Sequence, residues 1–107
     1  MPALWIGHVT VTDEESYAKY AKLAGPAIAA HGGHFIARGG RYVQLEGTDR
    51  ARNVVARFPS LEAAEACYHS KEYQAALDHA RGAVVCVRGG AEEQVGVGEG
   101  GQGSLVR

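Results

Sequence analysis

Short runs of β-branched and aromatic residues alternate along this chain with longer, more polar stretches. The three strongest runs span residues 3–11, 53–58 and 83–87. Such a composition favours β-strands, and these runs are apolar on both faces instead of alternating between apolar and polar positions. Two weaker segments, residues 34–38 and 41–45, flank a glycine pair, which we interpret as a bulge or bend between two short strand segments.

Two longer stretches carry apolar residues at the spacing of an α-helix. The stripe of the first stretch consists of Tyr17, Tyr20, Ala21, Ala24 and Ile28. Thr12 and Glu15 predict a capping box at its start, and Gly32-Gly33 predicts a left-handed cap at its end. Pro26 lies within the stripe and removes a backbone donor, so we expect the helix to kink or loosen in the turn before it.

The second helical stretch follows Pro59, and Ser60 is its predicted N-cap. Ser70 predicts a second cap, which restarts a helix from Lys71 to about Arg81. The complete order is β-α-β-β-α-β, the split arrangement of ferredoxin-like α+β domains. Right-handed crossovers place the helices on one face of the sheet, which leaves the other face uncovered.

The uncovered sheet face predicts an interface between two copies of the chain. A soluble monomer rarely exposes a contiguous apolar surface of more than a few hundred Å². A second copy related by a two-fold axis is the natural cover. We therefore expect a homodimer joined through the sheet faces, with Trp5 and Val55 in its interface.

The chain length of 107 residues is enough for one domain with one modest core. We place that domain at residues 1–88, because the composition becomes glycine-rich from Gly89 onward and predicts a flexible tail over residues 89–107. Cys67 and Cys86 lie in apolar surroundings without metal or redox spacing, which predicts two free thiols.

Charge and hydropathy exclude several classes of partner. Lys and Arg number 11 and Asp and Glu number 12, which gives a formal charge of −1. The basic residues are scattered, so we expect no binding of nucleic acid. No long apolar run and no basic leader precede the first strand, so we expect a cytoplasmic protein without a membrane segment.

Six linked segments of the chain resemble a known family. They are the helix stripe with Tyr17 and Tyr20, His31-Gly32-Gly33, Ala37-Arg38-Gly39-Gly40, Leu45-Glu46-Gly47, Phe58-Pro59-Ser60-Leu61-Glu62-Ala63-Ala64, and Tyr68 to Tyr73 with Gln74. Together they resemble the small bacterial family labelled "domain of unknown function 1330". The resemblance implies a dimeric α+β barrel, in which two ferredoxin-like sheets face each other, with a small cavity near the sheet. The family is more distantly similar to dimeric barrel monooxygenases and isomerases.

The pair His31 and His34 invites a metal hypothesis. The two glycines between them argue against a rigid helix that would place both rings on one face, and no further ligand stands at the required spacing, so we expect no metal. The helix macrodipole is a sufficient reason for His31 in the last helical turn. Two features depart from the family pattern. His34 stands where the resemblance implies a basic, Arg-like residue. The stretch 78–84 is shorter than in the family, which leaves the register of the last strand open.

Arg38 is the strongest candidate for a ligand contact. It interrupts an apolar strand beside a glycine pair, and its planar guanidinium suits a carboxylate or an enolate oxygen. The alternative is an ion pair with Glu46 or with a carboxylate of a partner subunit. Tyr68, Ser70 and Tyr73 cluster at the break in the second helical stretch, where capping and core packing are the alternative to ligand binding.

Two functions fit these residues. The first is binding of a small organic molecule, including an anionic one, by His31, Arg38, Tyr68, Ser70 and Tyr73 in a cavity near the sheet. The alternative is a cofactor-independent monooxygenase- or isomerase-like enzyme that acts on a small carbonyl or phenolic substrate. His31 or a tyrosine would then carry a proton and Arg38 would hold an oxyanion. We expect no cofactor, and the sequence leaves catalysis open.

Overall fold

The chain folds into a four-stranded antiparallel sheet with three helices packed on one face, and the computed structural model describes residues 1–93. The elements are β1 (Ala3–Val11), α1 (Glu14–Ala30), β2 (His34–Arg38), β3 (Arg52–Phe58), α2 (Leu61–His69), α3 (Lys71–Ala80) and β4 (Val84–Glu92). The strand order is β2-β3-β1-β4. This is the ferredoxin-like fold that the sequence predicts, with its second helix divided in two.

Strand β1 is the centre of the sheet and has β3 on one side and β4 on the other. Its Ala3 pairs with Phe58 of β3 and with Glu92 of β4, which fixes the register of both neighbours. Strand β4 therefore continues past the boundary expected after residue 88. Residues 94–107 of the expected flexible tail lie outside the described residues.

The start of α1 differs from the capping box expected at Thr12 and Glu15. Asp13 is the N-cap, and its carboxylate accepts hydrogen bonds from the backbone N–H and the hydroxyl of Ser16, at 3.2 and 3.0 Å. These bonds stabilise the charged form and lower the pKa of the Asp13 carboxyl. Asp and Thr both favour the cap position, and the residue closer to the helix is the one used.

Helix α1 remains one element through Pro26, so the expected loosening before the proline does not end or divide it. Residues on both sides of the proline, Ala24 and Ala27, are buried against the core. Tertiary packing of this face outweighs the single backbone hydrogen bond that proline removes.

The glycine pair after α1 closes the helix in a Schellman motif. The N–H groups of Gly32 and Gly33 donate to the carbonyls of Ala29 and Ile28, at 3.0 and 2.9 Å. Gly32 has a φ of +83°, the left-handed conformation that favours glycine. Gly33 is required for a different reason, because a Cβ there would lie 2.7 Å from Ile28 and from the Phe58 ring.

The stretch 41–45 was expected to continue the second strand, and the structure corrects this. Strand β2 ends at Arg38, and the N–H of Gly39, with a φ of +71°, donates to the carbonyl of Asn53 at 2.9 Å before the chain leaves the sheet. The irregularity in the pairing of β2 with β3 lies between Phe35 and Ala37, before the glycine pair. Positive φ at Gly39 redirects the backbone, so the apolar residues beyond it have no strand partner.

The core fills the space between the helices and one sheet face. Its largest fully buried side chains are Tyr73, Phe58 and Cys67. Trp5, which was expected at a dimer interface, belongs to this core and is 5% exposed, because odd-numbered residues of β1 face the helices. No helix within residues 1–93 is both long and apolar enough to cross a membrane.

Replacement of Gly33 by Ala is expected to lower the free energy of unfolding by about 2 kcal/mol, because the new methyl group overpacks against Ile28 and Phe58. Gly40→Ala is the matched control, since a Cβ at position 40 meets nothing within 4 Å. Its stability should change by less than about 0.5 kcal/mol. Urea denaturation of both variants measures this difference, and equal stabilities would contradict the packing argument.

Candidate functional site

A cavity of about 380 Å³ lies between α2 and the strands β1 and β4, and we call it the α2 cavity. Its wall includes Trp5, Leu61, Glu65, Tyr68 and Arg88. Gly89 and Gly90 of β4 form its floor. Because these glycines have no side chains, α2 can lie over β4 and still leave space between them.

A narrower cleft of about 30 Å³ lies between α1 and the same face of the sheet. Its charged lining residues are Arg38, Arg52 and Arg88, so we call it the arginine groove. Trp5 and Arg88 line both the groove and the α2 cavity. The two spaces are therefore adjacent and have these two lining residues in common.

Strand alternation explains why three arginines face the helices. Arg38 pairs with Val54, and Arg88 pairs with Gly7, and both partners lie on the covered face of the sheet. Arg52 lies two residues before Val54 and so shares its face. Each arginine comes from a different strand, and the groove is where their side chains converge.

Each of these arginines lies against an aromatic ring. The Cζ atom of Arg38 is 4.0 Å from the centroid of the Phe35 ring, and that of Arg52 is 5.1 Å from the Tyr17 ring. The Nε–H of Arg52 also donates to the Tyr17 hydroxyl at 2.8 Å. Such contacts stabilise a guanidinium but do not neutralise its charge.

Within residues 1–93, none of these three arginines forms an ion pair with an acidic side chain. The ion pairs in this part of the chain join Arg57 to Glu93 and Arg81 to Asp78, both at the surface. The pair between Arg38 and Glu46 that the sequence offered as an alternative is not formed. The groove therefore carries uncompensated positive charge.

Two buried tyrosines lie beside Arg88. The hydroxyls of Tyr20 and Tyr73 are 2.5 Å apart, and the Arg88 Cζ atom is 6.0 and 5.9 Å from their ring centroids. Burial raises the pKa of both phenols above the usual value, and the nearby Arg88 charge only partly opposes this. Both are neutral hydrogen-bond donors and acceptors at neutral pH, not bases.

The predicted ligand residues do not share one wall. Tyr68 lines the α2 cavity and Arg38 lines the arginine groove. Tyr73 is fully buried between them, with its ring edge-on to Trp5 at a centroid distance of 5.0 Å. Tyr73 packs against Trp5 and lines neither the α2 cavity nor the arginine groove.

His31 and Ser70 have structural partners. The Nδ1 atom of His31 hydrogen-bonds the carbonyl of Ala27 at 2.9 Å, at the end of α1. Ser70 caps α3, since its Oγ accepts from the N–H of Tyr73 at 3.1 Å and donates to the carbonyl of Cys67 at 2.7 Å. Neither side chain lines the α2 cavity or the arginine groove.

Sequence reasoning missed Arg52 and Arg88, which the structure brings to the centre of the site. The predicted strand 53–58 starts one residue after β3 does, and the predicted strand 83–87 ends five residues before β4 does, so each excluded its arginine. Alternation was the available signal, because Val84, Cys86 and Arg88 occupy every second position of β4. A charged residue at a position of a strand that faces the helices, such as Arg88, therefore indicates a site more clearly than a single charged residue beside glycines does.

The two cysteines are free thiols, as the sequence predicts. Cys67 is fully buried, and this burial raises the pKa of its thiol to about 11, so it is unreactive at neutral pH. Within residues 1–93, no three His, Cys, Asp or Glu side chains are grouped closely enough to hold a metal ion.

The face of the sheet opposite the helices is uncovered and apolar, and we call it the open face. Ile6, Val85 and Val87 on this face are 44%, 52% and 62% exposed. Polar residues of this face include Thr10, Arg57 and one pair, His8 and Asn53, which is joined by a hydrogen bond of 2.6 Å between Nδ1 and Oδ1.

Comparison with known families identifies the chain. The family described as "Domain of unknown function (DUF1330)" matches residues 2–89. This chain belongs to that family. No curated protein matches the sequence.

Solved structures share the fold of this DUF1330 protein at low sequence identity. A protein of unknown function from Rhodopseudomonas palustris has a TM-score of 0.71 at 21% identity, over 87% of this chain and 82% of that one. SnoaB, a cofactor-independent oxygenase from Streptomyces nogalater, has a TM-score of 0.59 at 14% identity, over 92% and 98%. A dimeric ferredoxin-like protein of unknown function from Bacteroides fragilis has a TM-score of 0.54 at 12% identity, over 86% and 96%. These likenesses establish the fold.

Proposed function

We propose that this protein is a cytoplasmic homodimer that binds a small organic molecule in the α2 cavity. The observation that carries the proposal is the cavity itself, whose volume of about 380 Å³ falls within the range of about 300–1,000 Å³ typical of small-molecule sites. Aromatic and aliphatic side chains from Trp5, Leu61 and Tyr68 supply an apolar wall. Arg88 adds a polar group that would orient the molecule.

Homodimerisation through the open face is supported by the exposure of that face. Three helices cover only the other side of the sheet, and the loop after β2 exposes further apolar residues, with Val43 and Leu45 at 75% and 85%. A second copy would bury both sets. The ferredoxin-like protein from Bacteroides fragilis is described as dimeric, which agrees with this arrangement.

Val87→Glu is expected to convert the dimer to a monomer, because it places a charge at the centre of the buried interface. Sedimentation equilibrium at micromolar concentration measures the mass. Leu23→Glu is the matched control, since Leu23 is 43% exposed on α1, away from the open face. A monomeric wild-type protein, or a Val87→Glu variant that still dimerises, would contradict the proposed interface.

Turnover of a small carbonyl or phenolic substrate is the second candidate function. One observation favours it, the fold shared with the cofactor-independent oxygenase SnoaB. The side chains argue for binding instead, because no histidine lines either space and the buried phenols of Tyr20 and Tyr73 have raised pKa values. Oxygen consumption on incubation with a phenol would support turnover, and its absence with retained binding would support a binding protein.

Trp5, the single tryptophan of the chain, lines the cavity and reports its occupancy by fluorescence. Titration with 3-phenylpropionamide, a neutral molecule with one aromatic ring, is expected to change this fluorescence saturably. Ala64→Leu fills the cavity and should abolish the change. Ala66→Leu is the matched control, because Ala66 lies on the exposed side of the same helix and should leave binding intact. Equal responses in the two variants would place any binding elsewhere.

A further inference from the structure

The arginine groove has the size and charge to bind one carboxylate. A water molecule needs about 10–15 Å³ of such space, so 30 Å³ holds about two oxygen-sized groups. Every charged side chain that lines the groove is an arginine, and the described part of the chain supplies no acidic partner to any of them. Arg52 and Arg88 are half-buried, and such charge without a counter-charge is costly, so an anion would offset that cost.

One glycine position shows that the chain makes room for the Arg52 guanidinium. A Cβ at Gly39 would lie 2.5 Å from the Nη1 atom of Arg52, so a side chain there would displace that arginine. A Cβ at Gly25 would lie 3.6 Å from the Nη2 atom of Arg38. Gly25 stands inside α1, where glycine costs about 1 kcal/mol relative to alanine. A methyl group at position 25 would make only an ordinary contact with Arg38, so the close approach that excludes a side chain is the one between Gly39 and Arg52.

Together, the groove and the α2 cavity fit an amphipathic ligand that has one charged group and one apolar part. The groove is small and positively charged, whereas the α2 cavity is more than ten times larger, by the volumes of 30 and 380 Å³, and mostly apolar. Arg88 and Trp5 line both spaces, so the two spaces meet at these residues. The one carboxylate on the cavity wall, Glu65, is exposed and forms no ion pair with Arg88.

We propose that the ligand class is a small monocarboxylic acid with an apolar, ring-sized body. The carboxylate lies in the arginine groove between Arg52 and Arg88, with Arg38 at the edge, and the body lies in the α2 cavity against Trp5 and Tyr68. This inference rests on the proposed function. It adds the charge of the ligand and names the residues that bind the charged group. Arginine suits this role because its planar fork can donate two parallel hydrogen bonds to a carboxylate.

The test compares 3-phenylpropionate with 3-phenylpropionamide, which differ only in the charged group, by Trp5 fluorescence and by calorimetry. The acid is expected to bind about tenfold or more tightly than the amide, in line with a charge-assisted pair of hydrogen bonds. Arg52→Gln should remove most of this preference, and Arg38→Gln, at the edge of the groove, should remove part of it, while both leave the amide unaffected. Arg38 is exposed, so its variant tests the groove even if Arg52→Gln folds poorly.

Arg81→Gln is the matched control, because it removes the same charge from a surface ion pair that lines neither space. It should keep the full preference for the acid. Equal binding of acid and amide, or a preference that survives both groove variants, would overturn the carboxylate assignment while the cavity proposal stands. Failure of both probes to bind at millimolar concentration would overturn the two proposals together.

Discussion

Trp5 packs between Phe58 and Tyr73 at the centre of the covered sheet face, and the rest of the site depends on this contact. Its ring stacks on Phe58 at a centroid distance of 5.6 Å and meets Tyr73 edge-on at 5.0 Å. Aromatic pairs of this geometry contribute about 0.5–1.5 kcal/mol beyond the area that they bury. They hold α3 against β1. Within residues 1–93, free space lies beside this cluster, under α2 and under α1.

The arginines that border this cluster illustrate a balance between two energies. Contact with an aromatic ring favours each guanidinium by about 0.5–2 kcal/mol. Partial removal of the charge from water opposes this, and burial of an ion without a partner costs several kcal/mol. Arg57, at the surface, instead forms an ion pair with Glu93. Arg52 and Arg88 are half-buried and have no such partner within residues 1–93, and this is the basis for proposing a ligand anion.

Periodicity and turn chemistry predicted most of the fold. The strand runs, the cap at Ser60 and the second cap at Ser70 are all in the structure, because each depends on local backbone hydrogen bonding. The stretch 41–45 was wrong, since strand pairing depends on the direction of the chain after Gly39 and not on β-propensity alone. Trp5 was assigned to the wrong face, because a strand that is apolar on both sides hides its orientation from pattern analysis.

The candidate site was harder to predict, since its lining residues come from four strands and two helices and converge only in the folded chain. Arg38 and Tyr68 were found by their local context. Arg88 could have been found from the alternation along β4, whereas Arg52 needed the pairing of β3 with β1. His31 and Ser70 attracted attention for residue type, and local hydrogen bonds account for both.

A crystal structure with 3-phenylpropionate bound tests the account most directly, because it shows the ligand and the assembly together. The account predicts the carboxylate within hydrogen-bond distance of Arg52 and Arg88, the phenyl ring in the α2 cavity, and a two-fold dimer joined through the open face. A ligand bound elsewhere, with the three arginines directed to solvent or to protein carboxylates, would contradict it.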